Sequence, residues 1–480
     1  FVQMKFANEF TRNILFWIQQ KHWLLIIAIL GVVMYQLPYP DGISPSGYRT
    51  LILSIIVISL IITEPVPLPA VALLIAVLEV VFHIAPPAEV AKSYMNDSVF
   101  FIMGSLMMAV AIVHQGLDTR LALGIIRLTG NKVKNIVLGF TCISALLSSF
   151  IGEHTVVAMM LPVGLSLVRN CGKNKPIPNL TALILFSIAY GSTVGSIGTP
   201  SGGARNAIML EYWRAITDSG LTLTYFQWII MAYPMVIIGM LSTTFLLQLA
   251  FKPEFNRMDT AIRRLKIQVA HKGKITGNEF LTILIFVIVF LCWIFLNEQY
   301  GLGIIAIGGA FLYMATGLVE WKQVSQNTNW GVILLFAGTI SLGVQMKNTG
   351  TALWIGNSLM SLFSPLIDQF TMIPYILNIF LTMLLSNIMS SSGTVAVLGP
   401  ITLSMGGDPA YMGMTTAISS AFGYFSAIAA PACMIIYSSG LVKMTDFLKA
   451  GWRMAIMSTI TLLLLYKFYW PLIIGFTNFK

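Results

Sequence analysis

Between Ser148 and Pro162 the chain reads Ser-Ser-Phe-Ile-Gly-Glu-His-Thr-Val-Val-Ala-Met-Met-Leu-Pro, which puts a carboxylate, an imidazole and a hydroxyl on the consecutive residues Glu153, His154 and Thr155. Such a trio can take and give protons, or bond an ion. Apolar runs flank it on both sides, so the polar groups fall where hydrocarbon is expected. A membrane helix carries such a cluster where its backbone breaks and the freed groups face protein, water or a solute. A weaker copy, Met389-Ser390-Ser391-Ser392-Gly393-Thr394-Val395-Ala396-Val397-Leu398-Gly399-Pro400, lies in the other half. Two polar breaks of similar shape, one per half, mark a membrane chain built from repeats around a midplane site.

The elements that must hold these clusters are apolar helices. Of 480 residues 57% are hydrophobic and 10% charged, and the mean hydropathy is +0.83; an ordinary soluble domain has about 25% charged residues. The expected fold is therefore an all-α polytopic membrane protein. The net charge of +10 does not point to nucleic acid, because the basic residues sit in short segments between apolar spans, where membrane orientation is decided. Cys142, Cys171, Cys292 and Cys433 form no CxxC pair and read as small core residues, so no disulfide or metal site is expected. Lys5, Arg12 and Lys21 lead into the first apolar run without a small-residue cleavage site, which reads as an uncleaved anchor.

Spans are expected at about 23–38, 49–63, 66–85 and 98–115. A basic amphipathic stretch at 120–134 suits the interface. The runs at 136–147 and 156–168 are each short for a crossing and read as a re-entrant hairpin (136–170) with Glu153-His154-Thr155 at its tip. A fifth element, 179–213, is interrupted by the Gly- and Ser-rich 191–203, and a sixth covers 226–250. The hydrophilic segment 252–277 reads as a cytoplasmic interfacial helix. Beyond it come spans at 280–297, 302–318 and 329–345, a second hairpin at 372–405, a broken tenth element at 411–438 and a last span at 454–474.

Threaded alternately, this gives about eleven crossings and two hairpins, with the N-terminus cytoplasmic and the C-terminus outside. Most of the 28 Lys and Arg then fall on the inner side, as the positive-inside rule requires. Gly104 and Gly116 align with Gly338 and Gly350, Thr155 and Pro162 with Thr394 and Pro400, and Pro200 with Pro431. One hairpin enters from inside and the other from outside, so the repeat is inverted, which suggests alternating access. In this division 1–97 holds scaffold helices, 98–225 the first transport repeat, 226–328 further scaffold, 329–453 the second transport repeat and 454–480 the last helix.

At these residues the chain resembles the divalent anion/sodium symporter family (DASS, solute carrier 13), which carries dicarboxylates, citrate or sulfate. The likeness runs over nearly the whole length, including Gly116-Leu117-Asp118-Thr119-Arg120-Leu121-Ala122, Asn329-Trp330-Gly331-Val332-Ile333-Leu334-Leu335-Phe336, and Ser438-Ser439-Gly440 followed by Lys443, Asp446, Lys449 and Gly451. It implies a plasma-membrane homodimer that works as an elevator-type transporter of a small anion, C4-dicarboxylate ahead of sulfate. The family's Ser-Asn-Thr triplets at the hairpin tips become Glu153-His154-Thr155 and Ser392-Gly393-Thr394. Its Thr-Pro-Pro-Asn breaks become Thr199-Pro200-Ser201-Gly202 and Ala430-Pro431-Ala432-Cys433. Both asparagines are replaced. No cofactor is expected, and the replacements point away from the family's sodium towards anion exchange or proton coupling.

The resemblance and the charges at these breaks together make Glu153, His154, Thr155, Thr199, Pro200, Arg205, Ser392, Gly393, Thr394 and Pro431 the candidate substrate residues, and Glu153, His154, Ser149, Gly195 and Ser426 the candidates for ion or proton coupling. Each has a plainer alternative. The hydroxyls of Thr155, Ser392 and Thr394 could cap helix ends; His154 could be a packed tip residue; Glu153 repels an anion unless it is protonated, paired or turned away. Arg205 is the lone Lys or Arg at a membrane break and needs a partner, either a substrate carboxylate or Glu153 or Glu211. Ser192, Thr193 and Ser196 are candidate polar lining, and Asn378 and Asn387 suit interhelical bonding. An intramembrane enzyme built on Glu153 and His154 is a distant reading, since the chain has five His and no HExxH or GxSxG. A continuous anion channel fits inverted hairpins less well than alternating access does.

Overall fold

The computed structural model describes residues 21–63, 65–117, 129–171, 176–217, 223–259, 275–362, 370, 372–427 and 429–474. In chain order the helices are α1 (His22–Gln36), α2 (Pro45–Thr63), α3 (Leu68–Val81), α4 (Pro87–Tyr94), α5 (Asp97–His114), α6 (Val133–Ile151), α7 (Glu153–Cys171) and α8 (Pro178–Gly195). A 3-10 turn, Pro200–Gly202, leads to α9 (Ala204–Ile216), then α10 (Tyr225–Ala250), α11 (Gly277–Phe295), α12 (Asn297–Ala315), α13 (Trp321–Asn327) and α14 (Trp330–Asn348). The chain continues with α15 (Thr351–Leu362), α16 (Ile373–Ser386), α17 (Ser391–Leu403), α18 (Pro409–Ser419), α19 (Pro431–Ser438) and α20 (Met444–Leu464), which runs through a π-turn into α21 (Trp470–Ile474). No named strand occurs among the described residues; Lys132 and Arg257 make an isolated bridge.

Local chemistry explains many of the boundaries. Asn96 accepts the Val99 N–H at 2.9 Å to start α5, and Thr224 with Gln227 and Thr276 with Glu279 form reciprocal capping boxes for α10 and α11. Prolines open α8, α18 and α19, where the missing N–H costs nothing. Among the described residues seven helical stretches are long and apolar enough to cross a bilayer: Pro45–Thr63, Pro87–His114, Val133–Ile151, Tyr225–Ala250, Gly277–Phe295, Trp330–Asn348 and Met444–Ile473. Shorter apolar helices include α1, α3, α16 and α17. Phe280, Leu284, Val287, Leu291 and Phe295 on α11, and Trp452, Ile456 and Ile460 on α20, leave apolar surface outside, while Trp213, Trp228, Trp293 and Trp470 are wholly buried.

The first hairpin is longer-armed than the apolar runs suggest. Its arms α6 and α7 have 19 residues each, and α6 by itself has the length and composition of a span. Gly152, at φ 83°, is the one residue between them, and the left-handed turn explains why a glycine stands there. Both arms pack on α8. The last long helix begins at Met444, ten residues before the apolar run, because the Asp446 carboxylate accepts the Lys443 N–H at 2.8 Å and starts a polar first turn. Of the interfacial stretches, 118–128 and 260–274 lie outside the described residues. The segment that follows α10 is fastened to the starts of the first repeat: Val133 N–H bonds Asn256 O at 3.0 Å, and the Glu254 carboxylate accepts the Asn179 and Leu180 N–H groups, each at 2.9 Å. The starts of α6 and α8 and the end of α10 thus share one face.

Candidate functional site

The first break lies against the first hairpin. Helix α8 stops at Gly195, whose close crossing with α6 leaves no room for a side chain: a Cβ there would fall 2.0 Å from Ala145 O. Ser148 Oγ donates to Ser192 O and Ser149 Oγ to Gly195 O, both at 2.7 Å. Thr199 Oγ1 donates to Ser149 O, and Asn206 Nδ2 bonds Ser196 O at 2.8 Å and Thr199 O at 2.7 Å. These bonds satisfy carbonyls that the ended helix frees, so Ser149, Gly195 and Thr199 hold the break's shape and stand behind the site.

The second break is held the same way. No helix joins Ser419 to Pro431 among the described residues; Phe425 N–H donates to Asn387 Oδ1 at 2.9 Å and Ser391 N–H to Ala429 O at 3.2 Å. Asn378 Nδ2 reaches Met412 O, Thr415 Oγ1 and Thr416 Oγ1 at 3.0, 2.8 and 2.9 Å, an interhelical role. The repeats interlock: α7 packs on α19, α17 packs on α9, and Tyr190 OH donates to Tyr424 O at 2.8 Å.

Between the tips lies a narrow cleft with a cavity volume of about 80 Å³. Gly152, Glu153 and His154 line it from the first tip, Ser392 from the second, and Pro200 to Arg205 from the first break; α5 supplies an apolar wall with Phe101, Ile102 and Leu106. At its base Arg205, 1% exposed, joins all three. Its Nη1 lies 3.5 Å from Glu153 Oε1 and 3.2 Å from Ser391 Oγ; its Nη2 donates to Ser196 Oγ at 2.5 Å and Thr193 O at 3.4 Å. Ser196 Oγ lies 2.7 Å from Thr193 O and 3.2 Å from Glu153 Oε2, one proton serving two acceptors. Arg205 Nε is buried and has no bonding partner among the described residues. A buried guanidinium with an unpartnered donor, in a side chain that lines a cleft, is suited to a carboxylate or other oxyanion.

Glu153, His154, Pro200, Arg205 and Ser392 therefore come together in the cleft. Thr394 does not line it: fully buried, its hydroxyl donates to Ser390 O at 3.1 Å. Gly393 donates its N–H to Ser390 Oγ at 3.2 Å and completes the α17 cap. Thr155 and Ser426 also lie outside the lining, and Pro431 opens α19. Glu211 accepts from Ser98 Oγ at 2.8 Å and is not the Arg205 partner. Two residues escaped the sequence reading. Ser391, one place before the triplet position, holds Arg205. Glu79 on α3, fully buried, accepts Ser341 Oγ from α14 at 2.6 Å; as a lone acid in an apolar run it was visible in the sequence.

Helices broken between paired hairpins, with one charged cleft between the tips, define a multi-pass membrane transporter rather than an enzyme. The sodium:sulfate symporter transmembrane-region family model matches residues 19–476, and the chain belongs to that family, the divalent anion/sodium symporters. It is 24% identical to the sodium-dependent dicarboxylate transporter SdcS of Staphylococcus saprophyticus, over 98% of this chain and 95% of the relative. With SdcS of Staphylococcus aureus strain USA300 it shares 26% identity over 94% of this chain and 92% of the relative. Among solved structures, the Neisseria gonorrhoeae MtrF efflux pump aligns with a TM-score of 0.56 at 12% identity, covering 94% of each chain. The Alcanivorax borkumensis YdaH transporter aligns at 0.51 and 14% identity, covering 78% of this chain and 85% of that one. These two likenesses concern the fold.

Proposed function

We propose that the chain is a secondary active transporter of small divalent anions, C4-dicarboxylates ahead of sulfate, driven by anion exchange or protons rather than sodium. The observation that carries this reading is Arg205, a buried guanidinium at the base of the cleft between the two tips, with Nε unpartnered among the described residues. A dicarboxylate fits a site with one strong cation and hydroxyls such as Ser392 in its lining; the SdcS relatives, named as dicarboxylate transporters, support this substrate class. In this reading the hairpins and broken helices move together as an elevator against scaffold helices, in a plasma-membrane homodimer with a cytoplasmic N-terminus.

The preference against sodium rests on charge. Arg205 touches Glu153 on one tip, Ser391 on the other and Ser196 in the break, so the protein supplies its own cation at the junction. Sodium-coupled symport is the second reading, favoured by the relatives' designation as sodium-dependent. Uptake of labelled succinate into proteoliposomes with and without an inward sodium gradient separates the two. Uptake that persists without sodium is expected, and strict sodium dependence refutes the preference.

A further inference from the structure

We propose that Glu153 competes with the substrate for Arg205, and that it binds a proton whenever an anion takes its place. This rests on the anion-site reading above and deepens it. In the structure the Glu153 carboxylate is the anion on the guanidinium, 3.5 Å from Nη1, with both side chains almost sealed from solvent at 6% and 1% exposure. Both residues line the cleft. A carboxylate arriving at Arg205 therefore comes beside one that is already there. Two carboxylates contesting one buried cation repel each other, and the repulsion is relieved when one is protonated.

The surroundings leave that role to Glu153. Arg205 is its ion-pair partner among the described residues. Ser196 Oγ, 3.2 Å from Oε2, can stay bonded to the neutral acid. Of the elements packed on α7, helix α8 contributes no charged residue, α6 carries Lys134 at its far start, and α19 brings Cys433 near the carboxylate. Among the described residues Tyr424 of the second break and His154, next in the chain, also lie near it, and α8 and α6 carry the titratable Tyr190 and Cys142. The Ser391 hydroxyl faces Arg205 from α17, and α5 lines the cleft with Phe101, Ile102, Ser105 and Leu106.

The exchange balances. On loading, a proton from the aqueous phase joins the Glu153 carboxylate while the anion bonds to Arg205; on release the proton leaves to the opposite side and the pair re-forms. The pair also settles how the empty carrier returns. A bare guanidinium moving through the membrane is expensive, and with Glu153 in place the empty site carries no net charge. Proton symport then needs no substrate on the return stroke. Removing the carboxylate leaves Arg205 uncompensated when empty, so the flux that remains requires an anion on both sides.

The test uses the full chain in lipid nanodiscs, succinate as probe, and a pH indicator in weak buffer. Wild type is expected to take up about one proton per succinate bound. In Glu153→Gln the ratio should fall towards zero, while Glu153→Asp should keep it. In proteoliposomes an inward pH gradient should drive succinate accumulation by wild type, and the flux left in Glu153→Gln should require internal succinate. Succinate binding to wild type without proton uptake overturns the proposal whether or not the variants fold. Pumping by Glu153→Gln along the pH gradient overturns it as well. If neither succinate, malate nor sulfate shifts the melting of wild type, the anion-site reading itself fails and this inference falls with it.

Discussion

Gly195→Ala tests whether the first break depends on the close crossing of α6 and α8. An added Cβ would lie 2.0 Å from Ala145 O and 2.4 Å from both Ala145 Cα and Ser148 Oγ. Two of these three atoms are backbone, so no side-chain rotation relieves the overlap. Ordinary carbon contacts begin near 3.5 Å, so the helices must part by roughly 1.5 Å. Overpacking of this kind costs about 1–3 kcal/mol. The separation also stretches the Ser148–Ser192 and Ser149–Gly195 bonds, both 2.7 Å, which are worth roughly 0.6 kcal/mol each between membrane helices. The loss is then about 2–4 kcal/mol. Because the same crossing seats the break whose Ser196 touches Arg205 and whose Thr199 bonds Ser149 O, succinate affinity should fall together with the melting temperature. The assay is thermal unfolding of purified protein with and without succinate, beside Gly308→Ala as control. Gly308 sits in α12 with nothing within 4 Å of its Cβ position, so helix propensity alone should make that change neutral or slightly stabilising. A Gly195→Ala protein that melts like Gly308→Ala refutes the argument.

Arg205→Ala should abolish anion-induced stabilisation and lower the melting temperature, since it leaves the Glu153 carboxylate buried without a cation, a change that costs about 3–5 kcal/mol. Adding Glu153→Gln to it should restore part of the melting temperature without restoring binding; equal or additive losses in a thermal-melt cycle would show that the pair is not coupled. At the edge of the fold, Asp97 accepts Leu302 N–H at 3.2 Å and Gly303 N–H at 2.9 Å and pairs with Arg214 at 3.2 Å, both side chains about a third exposed. Arg214→Ala should therefore cost at most about 1 kcal/mol, and Asp97→Ala clearly more, because it also strips two backbone donors of their acceptor; the same melts rank them.

Much of this architecture was legible in the chain because a bilayer leaves few options: apolar runs become helices, and polar breaks among them must be covered. The interruption at 191–203 appears as the end of α8, a 3-10 turn and the start of α9. The second break is wider than its Ala430-Pro431 signal, because Ser420 to Ala427 pack as irregular chain against Asn387. The short helices α4, α13 and α15 escaped, since none is apolar or long enough to register as a span. Polar first turns, such as that of α20, extend helices beyond their hydrophobic signal.

The site divides along a different line. Residue type identified Glu153, His154 and Arg205, because charge at membrane depth needs a reason wherever it occurs. Partnership depended on rotation about the helix axis, which spacing alone does not fix when both ends of a helix stop at a break. Hence Glu153 rather than Glu211 meets Arg205, and Ser391 rather than Ser392 or Thr394 carries the second tip's contact to it. The consequence is electrostatic. A lone arginine at this depth would make the empty site a permanent cation, attractive to any anion and costly to move. With Glu153 on it the site is neutral at rest, and any anion that reaches the guanidinium must contend with that carboxylate.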